Sequence, residues 1–112
     1  MKVKLTLSKD TIICVSNMLT RLYALEVSTN QRENIYKSIG FDLADKFHTK
    51  ARTLKKSADL LNQKQKSQVS LKFHEAWALH EIIQELLDYV LLNDYEQNLI
   101  SLLLAQIHPK II

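Results

Sequence analysis

One glycine, one proline and one cysteine in 112 residues leave little to build certain structures from. Gly40 alone makes no glycine-rich loop, so the usual cradle for a nucleotide phosphate is excluded. Cys14 alone forms no internal disulfide and supplies neither a CxxC pair nor a Cys/His cluster for zinc, which fits a reducing cytoplasm. Scarce Gly and Pro also mean few loops, so long helices with short joints are expected. No apolar run approaches the roughly 18 residues that span a membrane, and Met1–Asp10 lacks the apolar core of a signal peptide. Secretion and membrane insertion are therefore not expected, and a cytoplasmic location is.

Apolar residues make up 46% and charged residues 24%, near the globular average, and the length suits one domain, 1–112, able to fold without staples. Val3, Leu5 and Leu7 alternate with Lys2, Lys4 and Thr6, the period of a strand with one buried face and lysines on the other. This predicts a strand over 2–7. Ser8 can then cap a helix over about 9–26, whose apolar face carries Ile12, Val15, Leu19 and Leu22.

Two overlapping capping boxes, Ser28-x-x-Gln31 and Asn30-x-x-Glu33, mark the start of a second helix, packed antiparallel on the first. From Ile35 the apolar spacing runs through Leu43, Phe47 and Leu54 to Leu61, which predicts about 33 helical residues and about 50 Å. Gly40 lies on the apolar side of this helix. Gly40 bends or breaks the helix or lets a neighbour approach closely, or else one end projects beyond the domain and needs a partner; a continuous helix is the preferred reading.

Val69, Leu71 and Phe73 alternate again, predicting a second strand over about 68–73 that pairs with the first. A third helix follows, with Ala76, Leu79, Ile83, Leu86 and Val90 on one face. Asn93-x-x-Glu96 boxes a fourth, which should stop before Pro109. The expected fold is mainly α: a four-helix bundle-like domain with one long helix and a small two-stranded β-sheet lying against it.

Chemistry-bearing patterns are sparse. His74-Glu75 and His80-Glu81 lack the His-Glu-x-x-His spacing of a zinc protease, since position 78 is Ala. Six apart on a helix, the two imidazoles point about 120° away from each other and do not chelate one ion; exposed or capping histidines are expected instead. Glu81, Glu85 and Asp88 form an acidic stripe, read as solvated or facing basic residues of the second helix. Cys14 near a helix start could have a lowered pKa, but Ile12, Ile13 and Val15 around it favour a buried, inert thiol. No catalytic residue, cofactor site or metal site is expected.

Charge is unevenly spread. Residues 46–72 carry eight cations, Lys46, Lys50, Arg52, Lys55, Lys56, Lys64, Lys66 and Lys72, against Asp59 alone; residues 73–112 carry six acids against Lys110 alone. The cations could neutralise phosphates or an acidic partner. On the helical wheel they form no single stripe, and Phe47, the stretch's only aromatic, belongs to the core pattern, so a base-stacking platform is absent. A basic helix opposed by acidic third and fourth helices, within one chain or between the chains of a dimer, accounts for them equally well. Trp77 and Tyr89, with the apolar tail Ile111 and Ile112, could form an exposed apolar interface, although core packing is the more ordinary role of Trp77.

Residues 69–83, Val-Ser-Leu-Lys-Phe-His-Glu-Ala-Trp-Ala-Leu-His-Glu-Ile-Ile, together with the N-terminal Lys-Val-Lys-Leu-Thr-Leu-Ser, resemble a group of short uncharacterised proteins from gut anaerobic bacteria. The resemblance implies a small bacterial protein associated with mobile elements and carries no catalytic residues. The expected function is a non-enzymatic protein–protein interaction module that self-associates as a homo-oligomer, a dimer above all. The alternative is an accessory nucleic-acid-binding protein using the basic segment 46–72, and an enzyme comes third.

Overall fold

The computed structural model describes residues 2–21, 31–56, 66–88 and 90–112. Among them are two strands and four helices in the order β1 (Lys2–Ser8), α1 (Lys9–Leu19), α2 (Gln31–Lys56), β2 (Lys66–Lys72), α3 (Phe73–Leu86) and α4 (Asp94–Ile111). The chain is mainly helical.

β1 and β2 pair antiparallel, with Lys2 opposite Lys72, Leu5 opposite Val69 and Ser8 opposite Lys66. Alternation sorts their side chains cleanly: Val3, Leu5, Leu7, Val69 and Leu71 are buried. The intervening residues face outward. Each strand runs straight into a helix. Ser8 caps α1 by accepting from the Thr11 N–H at 3.2 Å, and at Lys72 the backbone N–H donates to the Glu75 carboxylate at 2.8 Å.

That second cap explains a boundary the alternation misplaces. Phe73 is not the last residue of a strand over 68–73; it opens α3 and is 39% exposed, and β2 begins earlier, at Lys66. α1 ends at Leu19 with one tighter turn at Thr20 and Arg21, while the expected continuation to 26 and the capping residues Ser28 and Asn30 lie outside the described residues. α2 is described over 26 residues, about 39 Å, and runs unbroken through Gly40, which is buried within it and has no positive φ. Its expected extension to 61 lies outside the described residues.

α4 overrides the local rule at its end. It continues past Pro109 to Ile111. The missing proline N–H deprives only the Ala105 carbonyl, on an exposed turn that water can reach. Burial of Ile107 and a 2.6 Å bond from Lys110 Nζ to the Lys4 carbonyl hold the last turn in place.

One contiguous core joins these elements. α1 and α3 lie between α2 and α4: α2 packs on α1 and α3, and so does α4. The sheet rests its apolar face on this core, with Leu5, Ile12, Phe47, Leu71, Leu79 and Ile100 almost completely enclosed. His48 ties α2 to α1, its Nδ1 hydrogen-bonded to Ser16 Oγ and its Nε2 3.5 Å from Thr20 Oγ1. No described helix is long and apolar enough to cross a membrane.

Candidate interaction surfaces

The arrangement of α2 and α4 on opposite sides of the core decides where the charges go. α4 packs chiefly on α1, α3 and β1. Lys46 and Lys50, one turn apart on α2, reach the sheet, donating to the Ser70 and Gln68 carbonyls of β2 at 2.8 Å each. Of the basic residues of the second helix, these two lysines cover a strand edge. Glu81, Glu85 and Asp88 on the third helix and its following turn are exposed to solvent.

The opposite edge is covered in the same way from α4. Gln106 exchanges two hydrogen bonds with the backbone of Thr6, and Lys110 donates to Lys4. Lys4 and Thr6 stand opposite Ser70 and Gln68 in the register, so all four have backbone groups directed away from the partner strand. Both rims of a ribbon that would otherwise offer unpaired edges are thus closed by side chains.

Between the rims lies the outward face. β1 contributes Lys2, Lys4, Thr6 and the half-exposed Ser8; β2 contributes Lys66, Gln68, Ser70 and Lys72. No carboxylate stands among these eight positions. Of the cations named from sequence, the fold brings Lys46, Lys50, Lys66 and Lys72 to this region and adds Lys2, Lys4 and Lys110. Arg52 is exposed on α2 and turned away from Lys50, two residues before it. Lys55 and Lys56 end α2, and Lys64 lies outside the described residues.

A second surface is the outer side of α4, where Leu102 is 60% and Ile112 88% exposed and Ala105 and Pro109 are exposed on the same side. Ile111, by contrast, is half-buried against the core, and so is Trp77. Tyr89 lies outside the described residues. Leu91, in the turn before α4, is fully exposed.

Between α1 and α4 a hollow open to solvent is lined by Asp10, Asn17, Asn93, Tyr95 and Glu96. Asp10, Tyr95, Asn93 and Glu96 are engaged with one another in pairs. The Tyr95 hydroxyl donates to Asp10 Oδ2 at 2.6 Å, and this bond, followed by desolvation and the carboxylate's charge, raises the phenol above its ordinary pKa. Asn93 and Glu96 form the reciprocal cap expected of them. Cys14, at the bottom, is 4% exposed and donates to Glu96 Oε2 at 4.0 Å. Burial first, and the Glu96 charge second, push its thiol up to about 11, so the helix dipole does not activate it.

The histidines separate. His74 is exposed, whereas His80 is buried, contrary to the expectation of an exposed or capping role. Its ring lies 5.5 Å from that of His108, its Nδ1 is 4.0 Å from Glu81 Oε1, and that nitrogen has no hydrogen-bond partner. No group of three or more His, Cys, Asp or Glu among the described residues is placed to hold a metal ion.

The chain matches no protein-family model, and neither a curated protein nor a solved structure matches it significantly.

Proposed function

We propose that the protein is a non-enzymatic interaction module that self-associates as a dimer through the outer side of α4. The observation that carries this is the stripe of Leu102, Ala105, Pro109 and Ile112, exposed along α4 and at its C-terminal cap. The fold reading that accompanies it is a four-helix bundle-like domain with α2 as its long helix, and the buried free thiol of Cys14 suits a reducing, cytoplasmic setting.

A second copy is the occupant that the helix itself suggests. Asp94 stands in the first turn of α4 and His108 in the last, both exposed, whereas Glu96 and Lys110 are engaged within the chain. A two-fold axis across the helix lays it antiparallel on its copy, apolar stripe on apolar stripe, with the acidic end of each against the basic end of the other. One helix pair about 27 Å long buries less than a standard interface, so the dimer is a reversible one.

Size-exclusion chromatography with light scattering, run over a range of protein concentrations at low and high salt, tests the reading. A concentration-dependent dimer that survives high salt and is lost in Leu102→Asp supports it, because apolar contact is not screened by ions. A wild-type protein that stays monomeric at every concentration overturns it.

A further inference from the structure

We propose that the outward face of the two-stranded sheet is a binding surface for the phosphate backbone of nucleic acid, centred on Lys2, Lys4, Lys66 and Lys72. This face is distinct from the outer stripe of α4, so the inference stands or falls independently of self-association.

The fold does not need the placement of these lysines. Lys2 and Lys72 face each other directly across the ribbon. Like charges in that position destabilise a sheet. Lysines are often found on exposed strands because they discourage pairing with other chains, but that purpose is served here at the rims. Gln106 and Lys110 cover the edge of β1, and Lys46 and Lys50 cover that of β2. Four further lysines on the open face, with no acid among them, gather self-repelling charge that an anionic ligand would relieve.

The rest of the face fits the same ligand. Thr6, Gln68 and Ser70 place neutral donors between the cations, the groups that accompany lysine on phosphate oxygens. Lys46 and Lys50 at one rim and Lys110 at the other each donate to a strand carbonyl, which uses one of the three hydrogens of an ammonium group. Glu75, the carboxylate nearest in sequence to the four face lysines, accepts from the Lys72 backbone N–H, and Asp45 precedes Lys46 at the α2 rim. The outward positions carry no aromatic side chain, so the surface offers no base stacking. None of the eight outward positions is apolar, so any attraction to anionic lipid would be through charge alone. The contact it can make is electrostatic and indifferent to base sequence.

Fluorescence anisotropy with a labelled mixed-sequence DNA duplex, titrated at several salt concentrations, tests the proposal on the full chain. Four phosphate contacts predict that log K falls with log salt at a slope of about −3 to −4. The double variant Lys4→Gln/Lys72→Gln should lower the slope by about 2 and weaken low-salt binding at least tenfold. Arg21→Gln/Arg52→Gln removes the same charge from positions outside the face and should leave the salt slope unchanged, because only side chains that contact phosphates release counterions. All four side chains are exposed, and thermal melts verify that both variants fold; the duplex should raise the melting temperature of wild type and not that of Lys4→Gln/Lys72→Gln. Three results would each overturn the proposal: no binding at low salt, equal loss in both double variants, or binding to vesicles of anionic phospholipid without binding to the duplex.

Discussion

Gln106 holds Thr6 by both of its backbone groups: the Thr6 N–H donates to Gln106 Oε1 at 2.8 Å, and Gln106 Nε2 donates to the Thr6 carbonyl at 3.2 Å. A primary amide presents a donor and an acceptor side by side, as a neighbouring strand would, so the side chain stands in for one rung of a third strand. The two residues are 100 positions apart, and the contact joins the first strand to the last helix. A two-stranded ribbon is marginal by itself. Here it is held between α2 and α4, each supplying polar side chains to the nearer edge.

Replacing Gln106 by Ala should therefore loosen β1 more than its exposure suggests. Two neutral hydrogen bonds to a rim residue are worth about 1–2 kcal/mol together, which urea denaturation resolves. Amide exchange at Thr6 should accelerate in the same variant. An unchanged denaturation midpoint with unchanged exchange would show that water replaces the amide without loss.

The sheet's inner face allows a sharper test. Leu5 and Leu71 are 0% and 1% exposed and both point into the common core. Leu5→Ala and Leu71→Ala should each cost about 2–5 kcal/mol, the range for a buried leucine whose site cannot collapse. Leu5→Asp adds an unpaired buried charge and should leave little folded protein. Melting temperatures within error of wild type for both alanine variants would remove the sheet from the cooperative core.

How these strands appear in the sequence shows what local pattern reveals. Val3-x-Leu5-x-Leu7 and Val69-x-Leu71 declare strands because a period of two is incompatible with a helix that buries one face, and Ser8 and Asn93 declare helix starts through their caps. Alternation cannot say where a strand yields to a helix, so it extends β2 to Phe73; only the Lys72–Glu75 contact places that residue in α3. Pro109 shows tertiary contacts overruling a local preference. The lysine face is half legible: Lys2 and Lys4 are outward by alternation, but their union with Lys66, Lys72 and the α2 lysines depends on register and on α2 lying beside β2. The burial of His80 is legible in full once its position outweighs its polarity. Positions 76, 79, 80, 83 and 86 share one helical face, and all five are buried.

His80 tests what a lone polar atom contributes inside that face. Its Nδ1 is buried without a hydrogen-bond partner, a condition that costs about 1–3 kcal/mol relative to a satisfied group. Substitution by Leu, apolar and comparable in size, should leave stability unchanged or raise it by up to about 1 kcal/mol. A loss above about 2 kcal/mol in His80→Leu would show that the imidazole has a stabilising partner, its contact with the His108 ring being the first to test by a double-mutant cycle.

Cys14 links the core to pH. Its thiol is held at about 11 in the fold, against an ordinary value of 9.0, because burial and the Glu96 carboxylate both disfavour the thiolate. Between these values the folded chain keeps a proton that the unfolded chain releases. The resulting stabilisation is complete below pH 9.0 and is lost as the pH rises through about 11. Urea midpoints measured across that window should fall for wild type and fall less for Cys14→Ala, which has no thiol to titrate. The alanine variant will start from a lower baseline, since it leaves a small cavity, so the comparison is one of slopes. Parallel slopes would show that the thiol ionises as readily in the fold as out of it. Native alkylation by iodoacetamide near pH 8 gives the kinetic counterpart: it should be far slower than in urea, where the thiolate fraction and access are both restored.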